Sequence, residues 1–175
     1  TWDKVFGSKE MLHAIKTDGT LWSWGRGIRG SLGQNESSDN AHRSSPVQIP
    51  GTNWENINSG GYSSVFGVKT DGTMWFWGGS NYGSSGFNSP DSFRRSSPTQ
   101  LPGTWNQAST ALFPFTIATK ADGTMWAWGR NSDQGGGELG QNNRTPYSSP
   151  RQIPGTTWRY AWGAFAGSWA LKDAD

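Results

Sequence analysis

The stretch from Ala14 to Gly25, Ala-Ile-Lys-Thr-Asp-Gly-Thr-Leu-Trp-Ser-Trp-Gly, decides the fold. Its second half returns twice, as Asp71-Gly72 followed by Thr-Met-Trp-Phe-Trp-Gly and as Asp122-Gly123 followed by Thr-Met-Trp-Ala-Trp-Gly. The copies begin 53 and 51 residues apart. A fixed period of this length is typical of propellers, solenoids and other repeat arrays.

Three further markers keep the same period. They are Ser-Pro at Ser45-Pro46, Ser97-Pro98 and Ser149-Pro150, Pro-Gly at Pro50-Gly51, Pro102-Gly103 and Pro154-Gly155, and a single tryptophan at Trp2, Trp54, Trp105 and Trp158. Because all of these markers stay in register, we interpret residues 1–175 as copies of one unit of 51–53 residues.

Each unit reads as a series of short strands. The Asp18-Gly19 pair lies between two β-rich runs and predicts a two-residue hairpin of type I′, as do 71–72 and 122–123. Further short strands are predicted at Val47–Ile49 and Trp54–Asn58, and helical periodicity is absent. Four short strands in a unit of this length indicate one blade of a β-propeller, so the fold class is all-β.

The aromatic residues fit stacked blades. The chain has 12 Trp and 25 Gly but only 32% hydrophobic residues, so large rings must supply most of the buried apolar surface. In a propeller both faces of a blade are covered by neighbouring blades. We therefore expect burial of Trp24, Trp77 and Trp128, and of Leu21, Met74 and Met125.

The repeat resembles a known family. The segments 14–25, 30–35 (Gly-Ser-Leu-Gly-Gln-Asn) and 45–51 (Ser-Pro-Val-Gln-Ile-Pro-Gly) are similar to the regulator of chromosome condensation (RCC1) repeat. The Trp-rich, short-looped form is most similar to the bacterial and bacteriophage branch. The resemblance implies a propeller of usually seven blades, of which residues 1–175 would supply about three and a half.

The two ends of the chain carry expectations of their own. Asp175 falls 53 residues after Asp122 and is expected to be the Asp of a fourth hairpin. Trp2 is expected in the second strand of a blade whose Ser-Pro strand is missing. The remaining blades are expected from further sequence of the same chain or from a second copy.

Composition argues against several classes of site. The net charge of +2, without any Lys/Arg run longer than two, disfavours nucleic-acid binding. Two isolated His and no Cys disfavour a metal centre or a nucleophile–His pair, and His13 aligns with Phe66 and Ile117. The recurring Asp residues are explained by the hairpins. We expect no catalytic residue, cofactor, metal or membrane insertion.

The candidate binding residues come from the long connections between Trp-Gly and Ser-Pro, where the units differ most. Aromatic residues and arginines anchor many binding surfaces. We expect these side chains to share one rim and to be more exposed than the recurring tryptophans. They are Arg43, Tyr82, Phe93, Arg94, Arg95, Arg144 and Tyr147.

The expected function is that of a non-catalytic module that displays loops to a protein partner. The phage resemblance implies a virion fibre, decoration or receptor-contacting protein, located in the virion or at a cell surface and binding other virion proteins or a host receptor. Glycan binding, nucleotide exchange on a small GTPase and enzyme inhibition stay open as alternatives. The exchange activity of the family's founder uses an inserted wedge, and plant ultraviolet photoreceptors carry a Gly-Trp-Arg-His-Thr signature. Neither feature occurs in this sequence.

Overall fold

The computed structural model describes residues 1–36, 38–61, 63–89, 92–112, 114–132, 136–164 and 167–173. Over these residues it contains fourteen β-strands and no helix, so no helix here could span a membrane. The strands are β1 Trp2–Gly7, β2 Met11–Lys16, β3 Leu21–Gly25, β4 Arg43–Ile49, β5 Trp54–Gly60, β6 Ser64–Lys69, β7 Thr73–Ser80, β8 Phe93–Thr104, β9 Gln107–Thr110, β10 Phe115–Thr119, β11 Met125–Gly129, β12 Tyr147–Ile153, β13 Trp158–Gly163 and β14 Ser168–Lys172.

The strands form consecutive antiparallel sheets in chain order. Blade 1 is β1-β2-β3-β4, blade 2 is β5 to β8, blade 3 is β9 to β12, and β13 pairs with β14 in a two-stranded half-blade. The predicted fold class is therefore confirmed: an all-β partial propeller of three four-stranded blades and half of a fourth. The first strands of successive blades contact one another, which places them on the inside, and β4, β8 and β12 form the outside.

The first blade of the chain is complete in the structure. Trp2 begins the first strand of blade 1, and the strand that carries Ser45-Pro46 closes that same blade as β4, so the prediction of a missing Ser-Pro strand was wrong. The Ser-Pro strand ends a unit because it pairs backward with β3. Asp175 lies outside the described residues.

This topology gives the propeller two different faces. The turn after the first strand of each blade and the long connection before its fourth strand lie on one side, here called the loop face. The Asp-Gly hairpins and the Pro-Gly links between blades lie on the other side, the hairpin face. Alternation of antiparallel strands enforces this separation.

The Asp-Gly turns are not of type I′. Gly19 has φ 76°, whereas Asp18 keeps a negative φ, and the Gly19 N–H donates to Lys16 O at 2.9 Å. This is a three-residue loop with glycine in the left-handed position. Asp18 Oδ1 accepts bonds from Thr20 N (3.0 Å) and Thr20 Oγ1 (2.6 Å), and these bonds lower the pKa of Asp18 below its ordinary value. The Asp18 carboxylate thus closes the loop while the main chain of Asp18 keeps a negative φ. Blades 2 and 3 repeat this arrangement.

Large side chains fill the interfaces between blades. Trp77 and Trp128 are fully buried, and Leu21, Met74 and Met125 are buried as predicted. Trp24 is only half-buried, so that prediction was wrong. Trp77 lies against blade 1, but no described blade covers the corresponding side of Trp24, whose ring lies 6.1 Å from Trp2.

The same set of hydrogen bonds joins each blade to the next. The long connection of blade 1 reaches over blade 2, where Ser31 O accepts from Trp77 Nε1 at 2.9 Å and Asn35 N donates to Ser96 O at 2.7 Å. The pattern returns one blade later, with Trp128 Nε1 to Ser84 O at 2.8 Å and Asn88 N to Ser148 O at 2.8 Å. On the hairpin face, three further hydrogen bonds join successive blades. The main-chain N–H groups of Trp54, Trp105 and Trp158 donate to the carbonyl oxygens of Gly19, Gly72 and Gly123. We call all of these hydrogen bonds between blades the joints.

A glycine of the Trp-Gly motif provides a stability prediction. Gly78, in the Trp-Gly pair of blade 2, has φ 92°, and a Cβ there would collide with the Ser63 carbonyl oxygen. We expect Gly78→Ala to lower the free energy of unfolding by roughly 1–3 kcal/mol, measured by urea titration. Gly167→Ala is the matched control, since a Cβ at Gly167 meets nothing within 4 Å. Equal stability of the two variants would contradict a steric requirement at Gly78.

Candidate functional site

The seven predicted binding residues all lie in the long connections or at the beginning of outer strands. Three of them occupy one repeated position, because Arg43, Arg95 and Tyr147 pair in register with the glycines of the three Trp-Gly motifs, Gly25, Gly78 and Gly129. We call the seven residues the outer rim. They lie on the loop-face side, but their surroundings differ.

Two rim arginines are held by carboxylates. Arg43 Nη2 contacts Glu36 Oε1 at 2.6 Å within its own connection. Arg94 Nη1 contacts Asp39 Oδ1 at 3.0 Å, and this ion pair joins blade 2 to the connection of blade 1. Both pairs are partly exposed to solvent, so each stabilises the fold only slightly. Their main effect is to fix where the two guanidinium groups lie.

Arg95 and Phe93 form a stacked cluster at the start of β8. The Arg95 guanidinium lies 4.7 Å from the Phe87 ring and 5.3 Å from the Phe93 ring. Phe93 in turn packs at 6.3 Å from Phe76, which is fully buried. Both rim residues are therefore half-buried and contribute packing between connection and sheet.

Tyr82 is the most prominent aromatic residue of the outer rim, with 52% of its surface exposed. Its φ of 53° lies in the left-handed region, where a bulky side chain costs about 1–3 kcal/mol. Arg29 occupies the equivalent place in blade 1 with φ 54°. The Arg130 guanidinium lies 4.8 Å from the Tyr82 ring and orients it. The connection therefore keeps a large exposed side chain where glycine would be less strained.

The blade 3 connection supplies the last two rim residues. Tyr147 accepts a hydrogen bond on its hydroxyl from Asn143 Nδ2 at 3.2 Å, and Arg151 lies 4.9 Å from its ring. Arg144 is exposed, and its aliphatic part passes over Gly136. Tyr82, Arg94 and Arg144 are thus the rim residues most accessible to a partner.

The loop face also contains a pocket that the sequence did not predict. Its volume is about 430 Å³, within the range of roughly 300–1,000 Å³ typical of ligand sites. Three blades contribute to it, through the turns after β1, β5 and β9 and the first long connection. Its lining residues are Ser8, Lys9, Glu10, Met11, Arg26, Ile28, Ser31, Gly61, Ser63 and Leu112. We call it the inner pocket, because the turns after the first strands lie close to the propeller axis.

Local hydrogen bonds shape the inner pocket. The turn after β1 is closed by Ser8 N donating to Met11 O at 3.0 Å, and Arg26 N donates to Glu10 O at 2.8 Å. The Arg26 guanidinium also binds both carboxylate oxygens of Glu10, at 2.8 and 2.7 Å. The apolar surface comes from Met11, Ile28 and Leu112, of which Leu112 is 48% exposed. The sequence signal that could have indicated this pocket is an apolar residue, Leu112, in the turn after β9.

Charge is distributed unevenly between the two faces. Seven of the nine arginines lie in the long connections or at the first residues of outer strands. All six lysines lie outside these positions, and one of them, Lys9, lines the inner pocket. Arginine recognises planar and acidic groups better than lysine does. No group of three or more His, Cys, Asp or Glu that could hold a metal occurs in the described part of the chain.

Comparisons with known proteins agree with this architecture. Residues 18–66 match the regulator of chromosome condensation (RCC1) repeat. The human E3 ubiquitin-protein ligase HERC2 is 26% identical over 157 residues, which cover 89% of this chain and 3% of HERC2. The ultraviolet-B receptor UVR8 of Arabidopsis thaliana is 26% identical over 160 residues, 85% of this chain and 33% of UVR8. This chain therefore spans at most a third of these relatives.

The solved structures show the same fold. Prp20p of Saccharomyces cerevisiae, described with its binding properties to Gsp1p and histones, superposes with a TM-score of 0.80 at 14% identity, over 99% of this chain and 44% of Prp20p. Yeast RCC1 (Prp20) with Kap60 bound to it gives 0.72 at 15% identity, over 98% of this chain and 41% of that one. Together, these matches support the RCC1 repeat family. All of these relatives are eukaryotic, so the narrower bacterial and bacteriophage resemblance gains no support from them.

Proposed function

We propose that this chain is a non-catalytic protein-interaction module that docks a protein partner on its loop face. The observation that carries the proposal is the inner pocket, an apolar depression formed by three blades and bordered on the blade 1 side by the charged side chains of Lys9, Glu10 and Arg26. Buried apolar anchors with a polar surround are the usual organisation of protein interfaces. The outer rim would then supply peripheral contacts through Tyr82, Arg94 and Arg144.

Pre-organisation favours this function. The connections that display the rim are bonded by their main chain to the next blade, as Asn35 N to Ser96 O and Asn88 N to Ser148 O illustrate. A surface held in this way loses little conformational entropy on binding, so more of the contact energy remains as affinity.

The relatives point in the same direction. Prp20p is described with binding to Gsp1p and histones, and its structure is also known with Kap60 bound. We extend to this chain only the capacity to bind a protein. A virion role, which the sequence resemblance suggested, has no support from these relatives and is not carried further.

A photo-crosslinking experiment tests the proposal. Benzoylphenylalanine replaces Tyr82 or Leu112 on the loop face, and Ala121 beside the third hairpin is the matched control. We expect a protein from the source cells to crosslink at both loop-face positions and not at Ala121. That protein, once purified, should bind the unmodified chain in calorimetry and lose about tenfold in affinity when Tyr82→Ala and Arg94→Ala are combined.

Two results would reject protein docking on the loop face. One is crosslinking through Ala121 alone. The other is a purified partner whose affinity the loop-face double variant leaves unchanged. Binding of the chain to a glycan array, with no protein crosslink, would favour the lectin alternative instead.

A further inference from the structure

We infer that the inner pocket binds an aromatic side chain of the partner protein, next to a partner carboxylate that pairs with Lys9. This inference rests on the proposed function and specifies what the partner presents. The occupant is an extended acidic segment with one aromatic residue between acidic neighbours.

Part of the apolar surface of the pocket is exposed to solvent. Leu112 is 48% exposed and lines the same pocket as buried Met11 and half-buried Ile28. A side chain placed among these three residues would remove their apolar surface from water, which is the main favourable term in association. The Met11 thioether also favours a ring, because sulfur–aromatic contacts are attractive.

The deep end of the pocket is fixed before any partner arrives. Ser31 and Ser63 line it and are buried. Ser31 O accepts the Trp77 indole at 2.9 Å, and Ser63 O accepts the Gly79 N–H at 3.2 Å. Trp77 belongs to blade 2 and Ser31 to blade 1, so the bond between them fixes the distance between the walls that these two blades supply. A preformed pocket of about 430 Å³ accommodates a large ring without rearrangement.

The charges at the entrance select the flanking residues. Glu10 is neutralised by Arg26, which binds both of its carboxylate oxygens. Lys9 is exposed and makes no ion pair with any of the described residues. One net positive charge therefore remains at the entrance, where it attracts a carboxylate and repels a cation.

Synthetic peptides test this directly on the intact chain. The probe is the heptapeptide Gly-Ser-Asp-Phe-Asp-Ser-Gly, compared with Gly-Ser-Asp-Ala-Asp-Ser-Gly and Gly-Ser-Lys-Phe-Lys-Ser-Gly. In ¹H–¹⁵N NMR titrations we expect the first peptide to shift the amides of Lys9, Ile28 and Leu112. We expect it to bind about tenfold more tightly than either of the others.

Variants of exposed residues separate the two parts of the inference. Leu112→Asp should abolish the preference for Phe over Ala, and Lys9→Glu should abolish or reverse the preference for Asp over Lys. Leu171→Asp is the matched control, because Leu171 is 51% exposed on β14, and it should change neither preference. Peptides that bind equally, or that shift no pocket amide, would overturn the inference.

Failure of the pocket inference and failure of protein docking on the loop face give different experimental results. A partner that crosslinks through Tyr82 and Leu112 but binds Leu112→Asp and Lys9→Glu as tightly as the parent would overturn this inference alone. Absence of any loop-face partner would remove the protein-docking proposal itself.

Discussion

Replacement of Trp77 by alanine is expected to lower the free energy of unfolding by roughly 3–5 kcal/mol. The Trp77 ring is fully buried between blades 1 and 2, with Trp54 at 5.7 Å and His13 at 6.0 Å. Its indole N–H is bonded to Ser31 O at 2.9 Å, and truncation would leave that carbonyl without this donor. A loss of this size is a large part of the stability of an ordinary domain. Chemical denaturation followed by circular dichroism measures it.

Trp24→Ala provides the internal control, because Trp24 is the repeat equivalent of Trp77 in blade 1. Trp24 is only half-buried and contacts Trp2 at 6.1 Å. Trp24→Ala should lower the free energy of unfolding by about half as much as Trp77→Ala, because the stabilisation scales with the apolar area removed from water. If both variants unfold at the same denaturant concentration, the joint between blades contributes nothing beyond the sheet itself.

Acidification from pH 7 to pH 4 is expected to remove up to about 3 kcal/mol of stability through His13 alone. Burial at the interface between blades lowers the pKa of His13 from 6.5 to about 4, against a smaller opposing effect of the Ser31 backbone. The unfolded chain therefore binds a proton near pH 6.5, whereas the folded chain resists protonation until about pH 4. The stability is complete above pH 6.5 and falls steadily across this window.

His13→Phe is the matched variant, because Phe66 occupies the equivalent position in blade 2. Its unfolding free energy should vary much less between pH 7 and pH 4.5 than that of the parent, measured by urea titration at each pH. The hairpin carboxylates do not confuse the comparison. Hydrogen bonds from Thr20 and its equivalents lower the pKa of Asp18, Asp71 and Asp122 below 3.8, so they titrate at more acidic pH. Parallel pH profiles of parent and variant would show that His13 is not the sensitive group.

The blades could be predicted from the sequence because the recurring glycines of the repeat occupy positions where the main-chain conformation requires glycine. Gly19 supplies the left-handed residue of the hairpin, and Gly78 makes room for the Ser63 carbonyl. The turn type was missed because the dipeptide alone does not show that Asp18 captures the N–H and hydroxyl of Thr20. Burial of Trp24 was overestimated because burial depends on a neighbouring blade and not on the repeat itself.

The candidate site was less predictable, because it depends on contacts between units. The sequence placed arginines and rings in the same connections, but it could not show that Arg95 stacks on Phe87 and Phe93. The inner pocket draws on turns as distant in sequence as Lys9 and Leu112. Only the radial arrangement of the sheets brings them together.

The joints between blades also determine how such a surface can diversify. The four repeated bonds between a connection and the next blade use main-chain atoms of the connection, namely Ser31 O, Asn35 N, Ser84 O and Asn88 N. Selection can therefore exchange side chains displayed by the connections without breaking these four bonds, much as a repertoire of binding loops is varied on a constant framework. Randomising positions such as 82 and 144 in a display library would retain every one of these bonds, which makes this repeat a natural scaffold for evolving new specificities.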